Sequence, residues 1–177
     1  MWGRRPGFTT LVRIILEQQV SLISARAMFN RLNAAIQPFK PETFLLMGDA
    51  RLRELGLTRQ KSGYLLSVAQ ASMAGELSRL ARSDETAARA SLMKIKGIGP
   101  WTADIYLLMV LRRPDVWPSG DIALATAVMK VKNLPARPDH RELEAIAEQW
   151  RPYRSVAARM LWQYYLARDK TPLSFPA

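Results

Sequence analysis

The chain contains no cysteine among its 177 residues. That absence excludes disulfides, thiol nucleophiles, thiolate-bound zinc and iron–sulfur clusters. It contains a single histidine, His140, so a Ser-His-Asp triad is excluded unless this residue is its one base. His140 stands in the polar run Asp139-His140-Arg141-Glu142, which reads as a solvated helix start. No apolar run reaches the ~18 residues of a membrane-spanning helix. Arg4 and Arg5 are not followed by an apolar signal-peptide core, because Leu11–Leu16 leads straight into Glu17, Gln18 and Gln19 as an amphipathic helix would. A cytoplasmic protein without membrane contact is expected. Acidic residues are also scarce: 15 Asp and Glu face 26 Lys and Arg, a net charge of +11. Such an excess in a short chain favours a polyanion such as nucleic acid as partner.

The residues that are present are punctuated as helices. Val12, Leu16, Val20, Ile23 and Ala27 form a helical stripe, which Ser21 can divide in two as an N-cap. Pro38 and Pro41 end that unit. Short helical pieces are expected at Phe44–Met47 and Ala50–Leu55, closed by Gly56. Thr58 can cap a helix carrying Tyr64, Leu65, Val68 and Ala69, and Asp84 another that runs to Ile95. Lys96-Gly97-Ile98-Gly99-Pro100 is a tight turn, followed by an apolar helix from Trp101 to Leu111 that Pro114 stops. After the turn Pro118-Ser119-Gly120, Asp121 opens a helix to Val131. Asp139 and Glu142 form a capping-box pattern for a helix ending near Trp150. Pro152 suits the first turn of a last helix to about Arg168. No segment alternates like a strand, so the expected class is all-α.

The segment from Leu92 to Ala103 is the most informative. Two glycines flanking an aliphatic residue allow a tight turn at positive φ. Without side chains they also let a phosphate approach the backbone. The following helix then offers that phosphate its first-turn N–H groups and the positive end of its dipole. Ile98 is placed to tuck between the two helices. Pro100 fits the first helical position, where a missing N–H costs little.

This segment resembles the helix-hairpin-helix of DNA glycosylases. Val116-Trp117-Pro118-Ser119-Gly120-Asp121 resembles that family's Gly/Pro-rich loop ending in an aspartate. Leu16-Glu17-Gln18-Gln19-Val20-Ser21 resembles its DNA-probing segment. Arg151-Pro152-Tyr153-Arg154-Ser155-Val156-Ala157 with Trp162 resembles the closing helix of the bacterial DNA-3-methyladenine glycosylase II branch. The motifs stand in family order over residues 11 to about 166. Members of that branch commonly carry further N-terminal sequence, whereas this chain begins almost at the first matching helix.

The resemblance implies one glycosylase domain, 1–177, of two helical subdomains around a DNA-binding cleft. Lobe one spans about 8–112 with the hairpin at 91–111, and lobe two about 113–177. It implies that Asp121 is the catalytic carboxylate, with Asp104 and Glu17 as rival acids. Lys96, Gly97, Ile98, Gly99 and Pro100 would grip DNA, and Gln19 would fill the gap left by a flipped base. Trp101, Ile105 and Trp162 take base-pocket positions, where aromatic faces favour cationic alkylated purines such as 3-methyladenine and 7-methylguanine. Ile105 departs from the branch, which often has an aromatic there. Lyase-competent relatives carry a lysine where this chain has Trp101, so hydrolysis without strand cleavage is expected. No cofactor is required, although the carbonyls of Met93, Ile95 and Ile98 stand where relatives hold a sodium or potassium ion. The expected partner is duplex DNA with damaged bases, bound by a monomer. A non-catalytic DNA-binding module and a glycosylase for another lesion class, such as oxidised bases, are the rival readings.

Overall fold

A computed structural model of the chain describes residues 4–168. Among these residues every regular element is helical. The helices are α1 (Phe8–Glu17), α2 (Leu22–Ala35), α3 (Pro41–Glu54), α4 (Arg59–Met73), α5 (Glu76–Leu80), α6 (Glu85–Met93), α7 (Pro100–Met109), α8 (Ile122–Val131), α9 (His140–Ala147) and α10 (Arg154–Arg168). A 3-10 turn, Glu148–Trp150, follows α9. No helix of the described residues is long and apolar enough to cross a membrane.

Local side-chain caps set several of the helix starts. Ser21, Thr58, Asp84 and Asp139 each accept a backbone N–H from the third residue on, and Asp139 with Glu142 forms the reciprocal capping box. Inside α3, Gly48 leaves helical geometry at φ 68°, ψ 179°, so the segment consists of two pieces, as expected. α5 has no counterpart in the sequence pattern. It has only five residues after Gly75, which stands at φ 72°. The stripe through Val20 and Ile23 is also corrected. Ser21 starts a new helix whose buried residues are Ala25, Phe29 and Leu32, which leaves Ile23 81% exposed.

The chain divides into two compact units. Residues 5–103 form one; Arg4 and the described residues from Asp104 onward form the other. In the first, α1 is buried along Leu11, Val12, Ile14, Ile15 and Leu16 and packs on α2 and α4. An aromatic cluster closes one part of this core. Phe44 meets Phe8 and Phe39 edge-on at ring distances of 5.0 and 4.9 Å, and the Arg13 guanidinium lies 4.1 Å from the Phe29 ring centre.

In the second unit, α8 packs on α10. The expected start of α10 is corrected here. The Arg151–Pro152 bond is cis and the helix begins at Arg154. Its first N–H groups are satisfied from a distant loop: Arg154 N donates to the Asp115 carboxylate at 3.2 Å, and Ser155 N to the Pro114 carbonyl at 3.0 Å. Arg154 also grips Asp115 through Nε and Nη2 at 2.8 and 2.9 Å. Burial pushes the Asp115 carboxyl upward, but the Arg154 hydrogen bonds and the charges of Arg154 and Arg151 outweigh it and hold the carboxyl below its ordinary value. A carboxyl depressed in the folded state stabilises the fold above its unfolded pKa of about 3.9 and loses that contribution as pH falls through the folded value. Asp115→Asn is therefore expected to cost about 1–2 kcal/mol at pH 7. The gap between parent and variant in urea unfolding should close as pH drops below about 4. A gap independent of pH would contradict this account.

Candidate functional site

The turn between α6 and α7 is built as the residue pattern requires, with one division of labour that the pattern hides. Ile98 is buried, and its N–H bonds the Ile95 carbonyl at 3.0 Å. Gly97 takes φ 95° and lies against Tyr64 of α4; a Cβ there would stand 2.3 Å from the ring. Gly99 is not at positive φ, which corrects the expectation for the second glycine. A Cβ at Gly99 would meet nothing within 4 Å. Gly97 thus makes the bend and packs inward, whereas Gly99 keeps an open face. The Gly99 carbonyl accepts Ala103 N–H at 3.0 Å to begin α7, with Pro100 at its first position. Lys96, Gly99 and Pro100 are exposed. This surface offers a cation, a side-chain-free backbone and the positive end of a helix, the requirements for binding a phosphate.

The hairpin borders a cavity of about 360 Å³, also lined by Gln18, Gln19, Gln60, Lys61 and Tyr64. Gln19 is exposed and takes φ 57°, the left-handed region that side chains with a Cβ seldom adopt. Three contacts that periodicity does not signal surround it. Gln18 Nε2 donates to the Gly97 carbonyl at 3.0 Å and to Thr102 Oγ1 at 2.9 Å. Lys61 Nζ donates to the Leu16 carbonyl at 2.8 Å, near the negative end of α1. Burial lowers the pKa of that ammonium.

Asp121 is half-buried and is the N-cap of α8. Its Oδ1 accepts Leu124 N–H at 2.8 Å and the Trp162 indole N–H at 3.2 Å. The carboxylate thus lies at the positive end of a helix and is held by a second donor from α10. Gly120, immediately before it, is exposed, and a Cβ there would meet nothing within 4 Å, so there is space beside the loop at this position. Ser119 in the same loop meets His140 Nε2 at 2.8 Å and donates to Glu144 at 3.3 Å. The only histidine therefore anchors the loop from the start of α9. Asp104 is 3% exposed, which suits a structural role. Glu17 is half-buried at the end of α1.

Residues 12–152 match the HhH-GPD superfamily base excision DNA repair protein family. The chain belongs to this superfamily. It is 34% identical to the DNA-3-methyladenine glycosylase of Bacillus subtilis over 63% of its length and 38% of that protein's. It is 29% identical to a putative DNA-3-methyladenine glycosylase of the same organism, over 88% of its length and 58% of the relative's. The chain thus spans less than two thirds of these two curated relatives. Its fold matches the 3-methyladenine DNA glycosylase of Schizosaccharomyces pombe, solved with abasic DNA, at a TM-score of 0.85 and 27% identity, covering 96% and 85% of the two chains.

Other residues of this HhH-GPD chain fall into two groups. Trp101 is half-buried in the first turn of α7, whereas Ile105 and Trp162 are 4% and 5% exposed. Of the cations that could touch phosphate, Arg154 is committed to Asp115, Arg159 donates to the Leu108 carbonyl at 2.6 Å, and Lys132 to Gln149 at 2.8 Å. Lys94, Lys96 and Lys130 remain exposed. Met93, Ile95 and Ile98, the residues whose carbonyls would ligate a monovalent cation, all line the hairpin cavity. Neutral carbonyl oxygens are hard donors of the kind a sodium or potassium ion takes, and the Ile95 carbonyl also accepts the Ile98 N–H at 3.0 Å.

Proposed function

We propose that this chain is a monofunctional DNA glycosylase that releases alkylated purines of the 3-methyladenine and 7-methylguanine kind from duplex DNA, leaving an abasic site. The observation that carries this reading is the Asp121 carboxylate, fixed through Oδ1 by Leu124 N–H and the Trp162 indole and preceded by a glycine with open space beside it. In the proposed reaction the bond between C1′ of the sugar and the base nitrogen breaks. The bonding pair leaves with the base, and a cationic alkylated base departs neutral. C1′ gains oxocarbenium character, which the anionic Asp121 stabilises. A water oxygen then bonds to C1′ and loses one proton, giving the abasic sugar.

The hairpin binds a backbone phosphate beside Gly99 and Lys96, and Gln19 occupies the space the base vacates. Trp101 offers an indole face on which a cationic base stacks. It also stands where lyase-competent relatives carry their amine, which supports hydrolysis without strand cleavage. A monovalent cation on the carbonyls of Met93, Ile95 and Ile98 would add positive charge near a bound phosphate. Such a protein works as a monomer on chromosomal DNA in the cytoplasm.

The test is release of 3-methyladenine and 7-methylguanine from methylated duplex DNA, with the strand remaining intact until alkali is added. Cleavage without alkali would refute the monofunctional reading. Tight DNA binding with no release from any lesion would refute catalysis. Trp162→Phe tests the support of Asp121, because it keeps a buried aromatic ring, smaller than the indole, and deletes the N–H that donates to Oδ1. Single-turnover release is expected to fall about tenfold, the scale of one hydrogen bond to a charged group. An unchanged rate would show that this bond does not serve the reaction.

A further inference from the structure

We infer that Gln18 is a positioning residue that locks the DNA-probing turn to the DNA-gripping hairpin, so that the wedge and the phosphate clamp act as one rigid piece. This rests on the glycosylase reading above and adds a residue to it. Gly97 O can only accept, so the side-chain atom facing it at 3.0 Å is the amide nitrogen, which has two N–H groups. The second reaches Thr102 Oγ1 at 2.9 Å, in the first turn of the helix after the hairpin. One amide therefore ties the residue next to Gln19 to both sides of the bend. The tie is needed because Gln19 sits at φ 57° in a turn of its own, where a free chain would relax to a commoner conformation. Lys61 steadies the same segment from α4 through the Leu16 carbonyl.

The consequence is specific to opening the duplex. A wedge held against the clamp transmits the grip on phosphate to the base stack. A wedge on a loose turn yields instead, and the base is left to open by itself. An unpaired lesion needs less of this help, since its unstacking cost is smaller.

Gln18→Met keeps length and apolar volume but has no donor, and Thr102→Val removes one of the two acceptors. Single-turnover release of hypoxanthine, a purine lesion that survives oligonucleotide synthesis, would be measured in two duplexes. One pairs it with thymine; the other places it opposite an abasic-site analogue. Gln18→Met is expected to slow release from the paired duplex about tenfold, as befits two lost hydrogen bonds. On the unpaired lesion it should slow release less than about twofold, with Thr102→Val intermediate. Equal slowing on both duplexes would mean that Gln18 merely supports the fold and would overturn the inference. Unchanged rates on both would overturn it as well. If the parent releases neither this base nor methylated purines, the glycosylase reading fails first, and that outcome is visible without any variant. Thermal melting of each variant, and its affinity for undamaged duplex, separate loss of coupling from loss of fold.

Discussion

Asp121→Asn is expected to lower release of methylated purines from duplex DNA by at least about a hundredfold, while the protein stays folded and still binds DNA. The substitution isolates charge from shape. Asparagine is as good an N-cap as aspartate, and its Oδ1 can still accept Leu124 N–H and the Trp162 indole. The negative charge that the proposed reaction sets against C1′ is what disappears. A single preorganised electrostatic group contributes about 3 kcal/mol to a transition state of this kind, hence the hundredfold scale. Affinity for a duplex with an abasic-site analogue should hold or rise, because an anion near the phosphates has been removed. Asp121→Ala, by contrast, also deletes the cap and should cost about 1 kcal/mol of stability. Equal release by parent and Asp121→Asn would take this residue out of the chemistry. Glu17 would then be tested next, because Asp104 is only 3% exposed.

The reach of each interaction along the chain explains what the sequence made legible. Helix caps are local, so Ser21, Thr58, Asp84, Asp121 and Asp139 can be read from letters alone, and the structure has each as an N-cap. The same locality identifies the hairpin and its buried Ile98. The start of α10 is not local. Its first N–H groups are met by Asp115 and Pro114, with Asp115 lying 39 positions before Arg154, and no pattern near Pro152 records that. α5 follows a left-handed glycine and is too short to show a period. Val20 and Ile23 fit the spacing of α1 but belong to the turn after it and to α2, whose buried residues are others. The clearest case is the candidate site itself. Gln18 and Gln19 are the same residue type side by side, yet one is tied inward across 79 and 84 positions and the other is exposed at positive φ. Asp121 and Trp162 likewise bond across 41 positions. Motif order suggests that both belong to the site, but only the fold reveals that the indole holds the carboxylate.

Gly97→Ala and Gly99→Ala should behave as opposites, although the two glycines look alike in sequence. At Gly97 an added Cβ would lie 2.3 Å from Tyr64 Cγ and 2.7 Å from Tyr64 Cβ. A contact with the root of the side chain cannot be relieved by swinging the ring. Overpacking of this kind costs about 1–3 kcal/mol, and an alanine at φ 95° adds about 1–2 kcal/mol. The sum, about 2–5 kcal/mol, is a large part of the stability of an ordinary domain and should lower the melting midpoint by about 5–20 °C. At Gly99 the added Cβ meets no atom within 4 Å and the backbone is not left-handed, so stability should change by less than about 0.5 kcal/mol. DNA binding should nevertheless weaken about tenfold, because the methyl group occupies the open face where a phosphate would approach the backbone. Adding Tyr64→Ala to Gly97→Ala removes the Cγ and Cδ1 contacts but keeps the Cβ at 2.7 Å, so it should restore part of the packing cost and leave the backbone strain. A Gly97→Ala protein that melts with the parent would contradict the packing of Tyr64 on the hairpin. A Gly99→Ala protein that binds duplex DNA as the parent does would place the phosphate elsewhere, and the case for this hairpin as the clamp would fall with it.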